Sequence, residues 1–289
     1  MSSTFLSECK QRVLSRVETL LSAEDKVTSS MRYSALADSK CIRAGLVFAS
    51  GNLTKHLNES VLTDIATSIE LMHTYSLIHD DLPAMDDDGM RRGQASNHIQ
   101  FNEATAILAG DALQAMAFEV IASSKDMSDS QKVEAVKSLA TACGHQGMIL
   151  GQQYDLDAEH DELLDVEIIH TLKTARLIQA AMTMPFLKND EYNKIFLLLH
   201  ELGEKIGLAF QIMDDVLEVS SDSMTLGKSN VSDIQNDKMT YVSVYGLEES
   251  IAKAETLSNY CIAKMQESFL QDQAKELIEL TKFMVTRAH

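Results

Sequence analysis

Only two prolines, Pro83 and Pro185, interrupt the 289 residues, and glycine occurs 12 times. Sandwiches and barrels need a turn every ~8–12 residues and draw heavily on both residue types. Helices joined by short polar loops need far fewer. The chain therefore reads as all-α, a single large bundle of about ten mostly antiparallel helices. Length alone would allow about two domains. No stretch resembles an interdomain linker, so residues 1–289 are expected to form one domain. A hydrophobic share of 45% supplies a core and argues against disorder.

Acidic residues outnumber basic ones 43 to 25, for a net charge of −18. A footprint on nucleic acid needs a positive face, so nucleic acid is not an expected partner. A phosphate-bearing substrate meets the same objection unless a local basic pocket or metal ions offset the acidic protein. The four cysteines, Cys9, Cys41, Cys143 and Cys261, show no CxxC spacing and read as reduced. The N-terminal residues lack an apolar stretch of signal-peptide length. No run approaches the ~20 apolar residues of a membrane span. Together these features predict a soluble, cytoplasmic protein with no membrane span.

Along the chain, the first thirty residues read as one amphipathic helix, and residues 60–79 as a clearer one. In the latter, Leu62, Ile65, Ile69 and Met72 form an apolar face at helical spacing. An overlapping stripe, Ala66, Ile69, His73, Ser76 and Asp80, turns polar toward its C-terminal end. A loop is expected over 83–93. Helical periodicity returns at 102–124, 130–157, 165–186 and 193–219. A polar loop is expected over 220–238, then two helices over 240–285.

The strongest local feature is HDDLPAMDDDGMRRG, which places Asp80, Asp81, Asp86, Asp87 and Asp88 within nine positions. A charge run is usually a solvated surface. This one emerges from the apolar SIELMHTYSLI and is followed at once by Arg91 and Arg92. Carboxylates held ~4 Å apart repel by about 4 kcal/mol at an effective dielectric of ~20, and divalent cations relieve that repulsion. An EF-hand fails on spacing, because Ala84 occupies a ligand position. A second pair, Asp214 and Asp215, lies in the most apolar helix, with Glu218 one turn after Asp214. Buried there without partners, such carboxylates would be costly. If the two helices face each other, the paired clusters could chelate Mg²⁺ around a polyphosphate.

These two motifs, with HTYSLIHDD, AILAGDALQ, GQQYDLD, LKTARLI, GLAFQ and TLGK in order, resemble the trans-isoprenyl diphosphate synthases over roughly residues 5–285, and the bacterial farnesyl type among them. The resemblance implies antiparallel helices around a deep central cavity and a homodimer. It implies Mg²⁺ dependence, with about three ions per site and Mn²⁺ able to substitute. The implied substrates are isopentenyl diphosphate and dimethylallyl or geranyl diphosphate. The implied products are farnesyl diphosphate and pyrophosphate, within isoprenoid biosynthesis. By resemblance, Asp80, Asp86 and Asp214 hold metal, with Asp81, Asp215 and Glu218 beside them. Those three aspartates with Lys173 and Arg91 form the catalytic set. Arg91, Lys173, Thr174, Gln211, Lys228 and Lys238 hold the allylic diphosphate. Lys40, Arg43, His73 and Arg92 hold isopentenyl diphosphate at a metal-free site. Tyr75 and Ser76 lie where the family sets chain length. His79 has no such correspondence and reads as structural.

Three departures stand out. The family's GGKRxRP appears as DSKCIRA, residues 38–44, so Asp38 adds a negative charge where glycine normally lets the backbone approach phosphate. Weaker affinity for isopentenyl diphosphate is the expected consequence. Glu218 replaces the usual aspartate of the second motif. Ala175-Arg176 replaces a glycine-containing pair, which predicts a weaker helix kink there. The alternatives are a geranyl or longer-chain (geranylgeranyl) synthase, and a catalytically weak homologue serving as a regulatory or structural subunit. A class I terpene cyclase fits less well, because FQIMDDVLE is not the Asn/Asp–Ser–Glu metal motif of that class.

Overall fold

The computed structural model describes residues 2–158, 164–225 and 239–286. Lys228 and Lys238 lie outside the described residues. The chain divides into two compact units. Unit 1 comprises Met1–Leu139 and Ala181–Tyr192, and unit 2 comprises Ala140–Ala180 and Asn193–His289. Nearly all described secondary structure is helical, as the scarcity of proline and glycine leads one to expect.

Unit 1 is built on α1 (Ser2–Leu20), α2 (Lys26–Ala35), α3 (Ile42–Gly51) and α4 (Glu59–Asp80). It continues through a two-stranded hairpin, β1 (Met90–Arg91) and β2 (Gln94–Ala95), then α5 (Asn97–Gln100), α6 (Glu103–Ala122) and most of α7 (Asp129–Cys143). The single helix expected over the first thirty residues is two. The break falls before Asp25, whose carboxylate accepts from the Thr28 N–H at 2.9 Å and starts α2.

Helix α4 begins on a similar cap, Asn58 Oδ1 accepting from Val61 N at 3.0 Å. Its predicted apolar face is buried: Leu62 is 3% exposed and Ile65, Ile69 and Met72 are 0%. Helix α6 lies antiparallel along α4. The Ser68 hydroxyl donates to Ala117 O at 2.6 Å near one end, and His79 of α4 meets Gly110 near the other. A methyl at position 110 would come within 2.1 Å of His79 Nε2, so glycine is what permits this close approach. Contrary to expectation, α6 is long and apolar enough to cross a membrane by length and composition, with a mean hydropathy of 1.4 over its most apolar window. In the fold one side of it covers α4.

The loop expected over 83–93 holds the first strand and the turn of the hairpin. Met90 pairs with Ala95 and Arg91 with Gln94. Arg92 and Gly93 form the two-residue turn with φ of 53° and 77°, the left-handed pair that matches the twist of a tight hairpin.

Unit 2 contains α8 (Met148–Asp157), α9 (Val166–His170), a π-helical turn (Thr171–Ala175) and α10 (Arg176–Thr183), whose last residues belong to unit 1. It continues with α11 (Asn193–Thr225), α12 (Tyr241–Tyr245), α13 (Leu247–Ser268) and α14 (Gln271–Thr286). Helix α11 runs past the expected end at 219 through Thr225. Its buried stripe, Leu199, Leu202, Ile206, Ala209, Met213 and Val216, keeps three- and four-residue steps. Leu208, Ala209, Ile212, Met213 and Val216 join Val166, Tyr241, Ala254 and Val285 in one cluster, which fixes Asp214 and Asp215 on a packed helix. The weaker kink expected at Ala175-Arg176 is not what forms. A full π turn carries Lys173 and Thr174, and a methyl at Gly207 would meet Ala175 Cα at 2.4 Å.

Candidate active site

In unit 1 the aspartate motif starts where α4 ends. Asp80 is its last residue and Asp81 its cap. The chain then folds back, with Met85 N and Asp87 N bonded to Leu82 O and Asp86 N to Asp80 O at 2.9 Å. Asp87 takes the left-handed conformation that aspartate tolerates. The backbone bond brings residues 80 and 86 together.

Asp81 is buried and faces Arg91, whose Nε and Nη2 donate to one carboxylate oxygen at 2.8 and 2.5 Å. Arg91 also reaches Asp88 at 2.7 Å. Burial raises the Asp81 carboxyl above its usual range, against the pull of Arg91. Burial likewise opposes the Arg91 charge, but Asp81, Asp88 and Asp80 more than compensate and raise its pKa. Arg91 thus braces the aspartate loop as well as standing in the predicted substrate set.

His73 gathers the basic residues. Desolvation first, then the charges of Arg43, Arg92 and Arg91, hold its pKa well below the ordinary 6.5. The half-buried ring is therefore neutral at physiological pH. Arg43 and Arg92, both predicted for the metal-free diphosphate, converge on it, whereas Lys40 is exposed nearby in sequence. Asp38, the added negative charge, is 92% exposed and ion-paired with Lys10 of α1 at 2.5 Å. Lys10 also lowers the Asp38 pKa. The departure from glycine is thus offset by a cation that motif reading did not single out.

Tyr75 is buried and meets the His79 ring edge-on at 5.6 Å. Ser76, half-buried, donates its hydroxyl to His73 O at 2.8 Å. His79 Nε2 lies 3.1 Å from Ile107 O.

In unit 2 the π turn and α11 share a hydrogen-bond network. Thr174 Oγ1 donates to Gln211 Oε1 at 2.7 Å, so two predicted allylic-site residues meet directly. Gln211 Nε2 donates to Asp215 Oδ1 at 3.1 Å. Asp215 Oδ2 takes His170 Nε2 at 2.9 Å and Tyr241 N at 2.7 Å. Both oxygens of Asp215 are therefore engaged by protein donors, which marks it as a brace. Asp214 is half-buried and Glu218 exposed. Lys173 Nζ sits 2.6 Å from Asp155 Oδ2. Asp155 is the first of the two aspartates of GQQYDLD, a motif the sequence displayed without revealing a role.

Among the described residues, no three His, Cys, Asp or Glu side chains converge into a ready metal cage. Mg²⁺ does not require one, since it takes one or two carboxylates plus substrate phosphate oxygens and keeps water. Asp80 and Asp86, hard oxygen donors joined by a 2.9 Å backbone bond, suit that half-open arrangement.

Comparison with known proteins agrees with the motifs. The polyprenyl synthetase family profile matches residues 24–280. The chain is 39% identical over 293 residues to the farnesyl diphosphate synthase of Haemophilus influenzae, covering 97% of this chain and 98% of that one. It is 42% identical over 260 residues to the Escherichia coli farnesyl diphosphate synthase, covering 87% of each. A geranyltransferase from Helicobacter pylori, solved in complex with magnesium and isoprenyl diphosphate, superposes with a TM-score of 0.79 at 30% identity, covering 99% of this chain and 98% of that one.

Proposed function

The chain belongs to the polyprenyl synthetase family, and on that footing we propose that it is a farnesyl diphosphate synthase. It joins isopentenyl diphosphate to dimethylallyl or geranyl diphosphate and releases pyrophosphate. The observation that carries this reading is the 39–42% identity to farnesyl diphosphate synthases over most of the chain. The family profile spans both compact units, which supports treating residues 1–289 as one functional domain.

The chemistry is a head-to-tail condensation. The allylic carbon–oxygen bond breaks and its electron pair leaves with pyrophosphate. The double bond of isopentenyl diphosphate attacks the resulting allylic cation, forming the new carbon–carbon bond. A proton then leaves the adjacent carbon for pyrophosphate and regenerates an alkene. Ionisation requires stabilisation of negative charge on the leaving group. Mg²⁺, about three ions with Mn²⁺ as a substitute, supplies that stabilisation when bound. Asp80, Asp86 and Asp214 hold it in this reading. Lys173, Arg91, Thr174 and Gln211 orient the allylic diphosphate, and Lys228 and Lys238 complete that set. Lys40, Arg43, Arg92 and neutral His73 bind isopentenyl diphosphate without metal, the arginines offering paired donors to phosphate oxygens.

We assign a homodimer, supported by Ile99, Ile107 and Leu108, apolar side chains that are 60%, 43% and 54% exposed around α5 and α6. A cytoplasmic location is supported by Cys9, Cys41 and Cys261, buried thiols outside any disulfide. The test is purified protein with Mg²⁺, isopentenyl diphosphate and either allylic starter, with products separated by chain length. Farnesyl diphosphate as main product is expected. Absence of turnover would favour the regulatory-subunit alternative.

A further inference from the structure

Helix α3 starts without a cap of its own. Cys41, its cap residue, is left-handed, with φ 47° and ψ 44°, and makes no side-chain capping bond. The first N–H groups of a helix have no intrahelical acceptor and need one from elsewhere. At Ala44 the acceptor comes from 26 residues away: Glu70 Oε1, on α4, takes the Ala44 N–H at 2.9 Å in the buried interior.

Position 44 is where this chain departs from the family pattern. GGKRxRP has proline there, which has no N–H to donate. DSKCIRA has alanine, and its N–H is the one Glu70 receives. Glu70 also lines one pocket with Ser39, Cys41, Thr74 and Arg92, so both the 39–44 segment and the Arg92 turn face it. Burial pushes the Glu70 carboxyl up, while Ala44 N–H, Arg43 and Arg92 favour its charged form. One carboxylate thus touches the backbone beside Arg43 and lies within electrostatic reach of both arginines.

We propose that Glu70 is a positioning residue for the isopentenyl diphosphate site, capping α3 through the Ala44 N–H and so setting where Arg43 and Arg92 present their guanidinium groups. The proposal rests on the farnesyl synthase reading for the identity of that diphosphate. In it, Glu70 touches no substrate. It takes up an N–H that the family's proline does not carry, and it lessens repulsion between Arg43 and Arg92 before a diphosphate arrives.

The experiment is steady-state kinetics with both substrates varied, on wild type, Glu70→Ala, Glu70→Gln and Ala44→Pro, with melting curves for each. Expected for Glu70→Ala is a rise of about tenfold or more in KM for isopentenyl diphosphate, with KM for geranyl diphosphate within twofold, as for loss of a buried charge-assisted bond. Glu70→Gln keeps an acceptor for Ala44 and should recover KM to within about threefold of wild type. Ala44→Pro removes the donor and leaves the Glu70 carboxylate without that partner, so it should raise the same KM, which keeps the question open to test if Glu70→Ala does not fold. Equal changes in both KM values, a glutamine variant no better than alanine, or an unchanged KM in Ala44→Pro would each overturn the proposal. An inactive wild type would instead strike at the farnesyl synthase reading. In that case amide hydrogen exchange at Ala44 in Glu70→Gln and Glu70→Ala still decides the cap: faster exchange only in the alanine variant supports it, and equal rates refute it.

Discussion

At Asp38 a single side chain changes what the motif implies. Read from the sequence, it places a carboxylate beside a substrate phosphate. In the fold Lys10 pairs with it at 2.5 Å, in a position exposed enough for solvent to screen both. Asp38→Gly is therefore expected to change affinity for isopentenyl diphosphate by less than about threefold, measured by titration. A larger tightening would mean that Lys10 does not offset the charge. His73 gives a pH-dependent prediction. Its pKa lies below 6.5 in the folded state, so the unfolded chain binds the proton first. The neutral ring's contribution is present above pH 6.5 and declines as pH falls below it. Denaturant unfolding at pH 7.5 and 5.5 should show wild type losing more stability than His73→Gln over that interval. Tyr75 is buried in α4, one helical turn before His79, and in the farnesyl synthase reading its ring limits the space open to a growing chain. Tyr75→Ala is expected to shift product from farnesyl toward geranylgeranyl diphosphate or longer, at a stability cost of roughly 3 kcal/mol. An unchanged product distribution would place the limit elsewhere.

Among the elements, the α4–α6 pair holds the first aspartate motif. The contact depends on Gly110 admitting the His79 ring one residue before Asp80. Gly110→Ala should push the two helices apart and destabilise by about 1–3 kcal/mol, read as a lower denaturant midpoint. Gly110→Ala combined with His79→Ala should recover part of that loss, because the clash is with the ring. In unit 2 the equivalent element is the π turn. A π turn widens the helix locally and often marks a functional site. Here it lets Thr174 reach Gln211 while Lys173 reaches Asp155. Ala175 fits against Gly207 as a small residue, so the irregularity survives the loss of a glycine from the motif itself.

For the whole molecule, the acidic chain and its anionic substrates are reconciled in two ways. Arg43, Arg91 and Arg92 gather around His73, and carboxylates stand ready for cations. Activity should therefore require a divalent metal. Asp80→Ala and Asp214→Ala should each lower kcat at least ~10²-fold, comparable to removing a preorganised electrostatic contact in the transition state. Full turnover in EDTA, or in either variant, would refute the metal assignment.

The all-α class, the apolar faces of α4 and α11 and the two aspartate motifs were legible in the sequence, because burial imposes a 3.6-residue period wherever a helix packs. So were Thr174 and Gln211, through motif order, although nothing in one dimension says that they bond. Tertiary structure alone decided which carboxylates serve as braces. Asp81 is held by Arg91, and Asp215 by His170, Gln211 and Tyr241, which the sequence does not distinguish from the aspartates beside them. Lys10 entered the site region from α1, whose sequence carries no phosphate-binding signal, and Glu70 from α4, where the motifs pointed to His73 and Asp80 instead. The physical reason is range: periodicity and capping act within a turn or two, whereas a carboxylate's role depends on which donors the fold brings within ~3 Å, from residues tens of positions away.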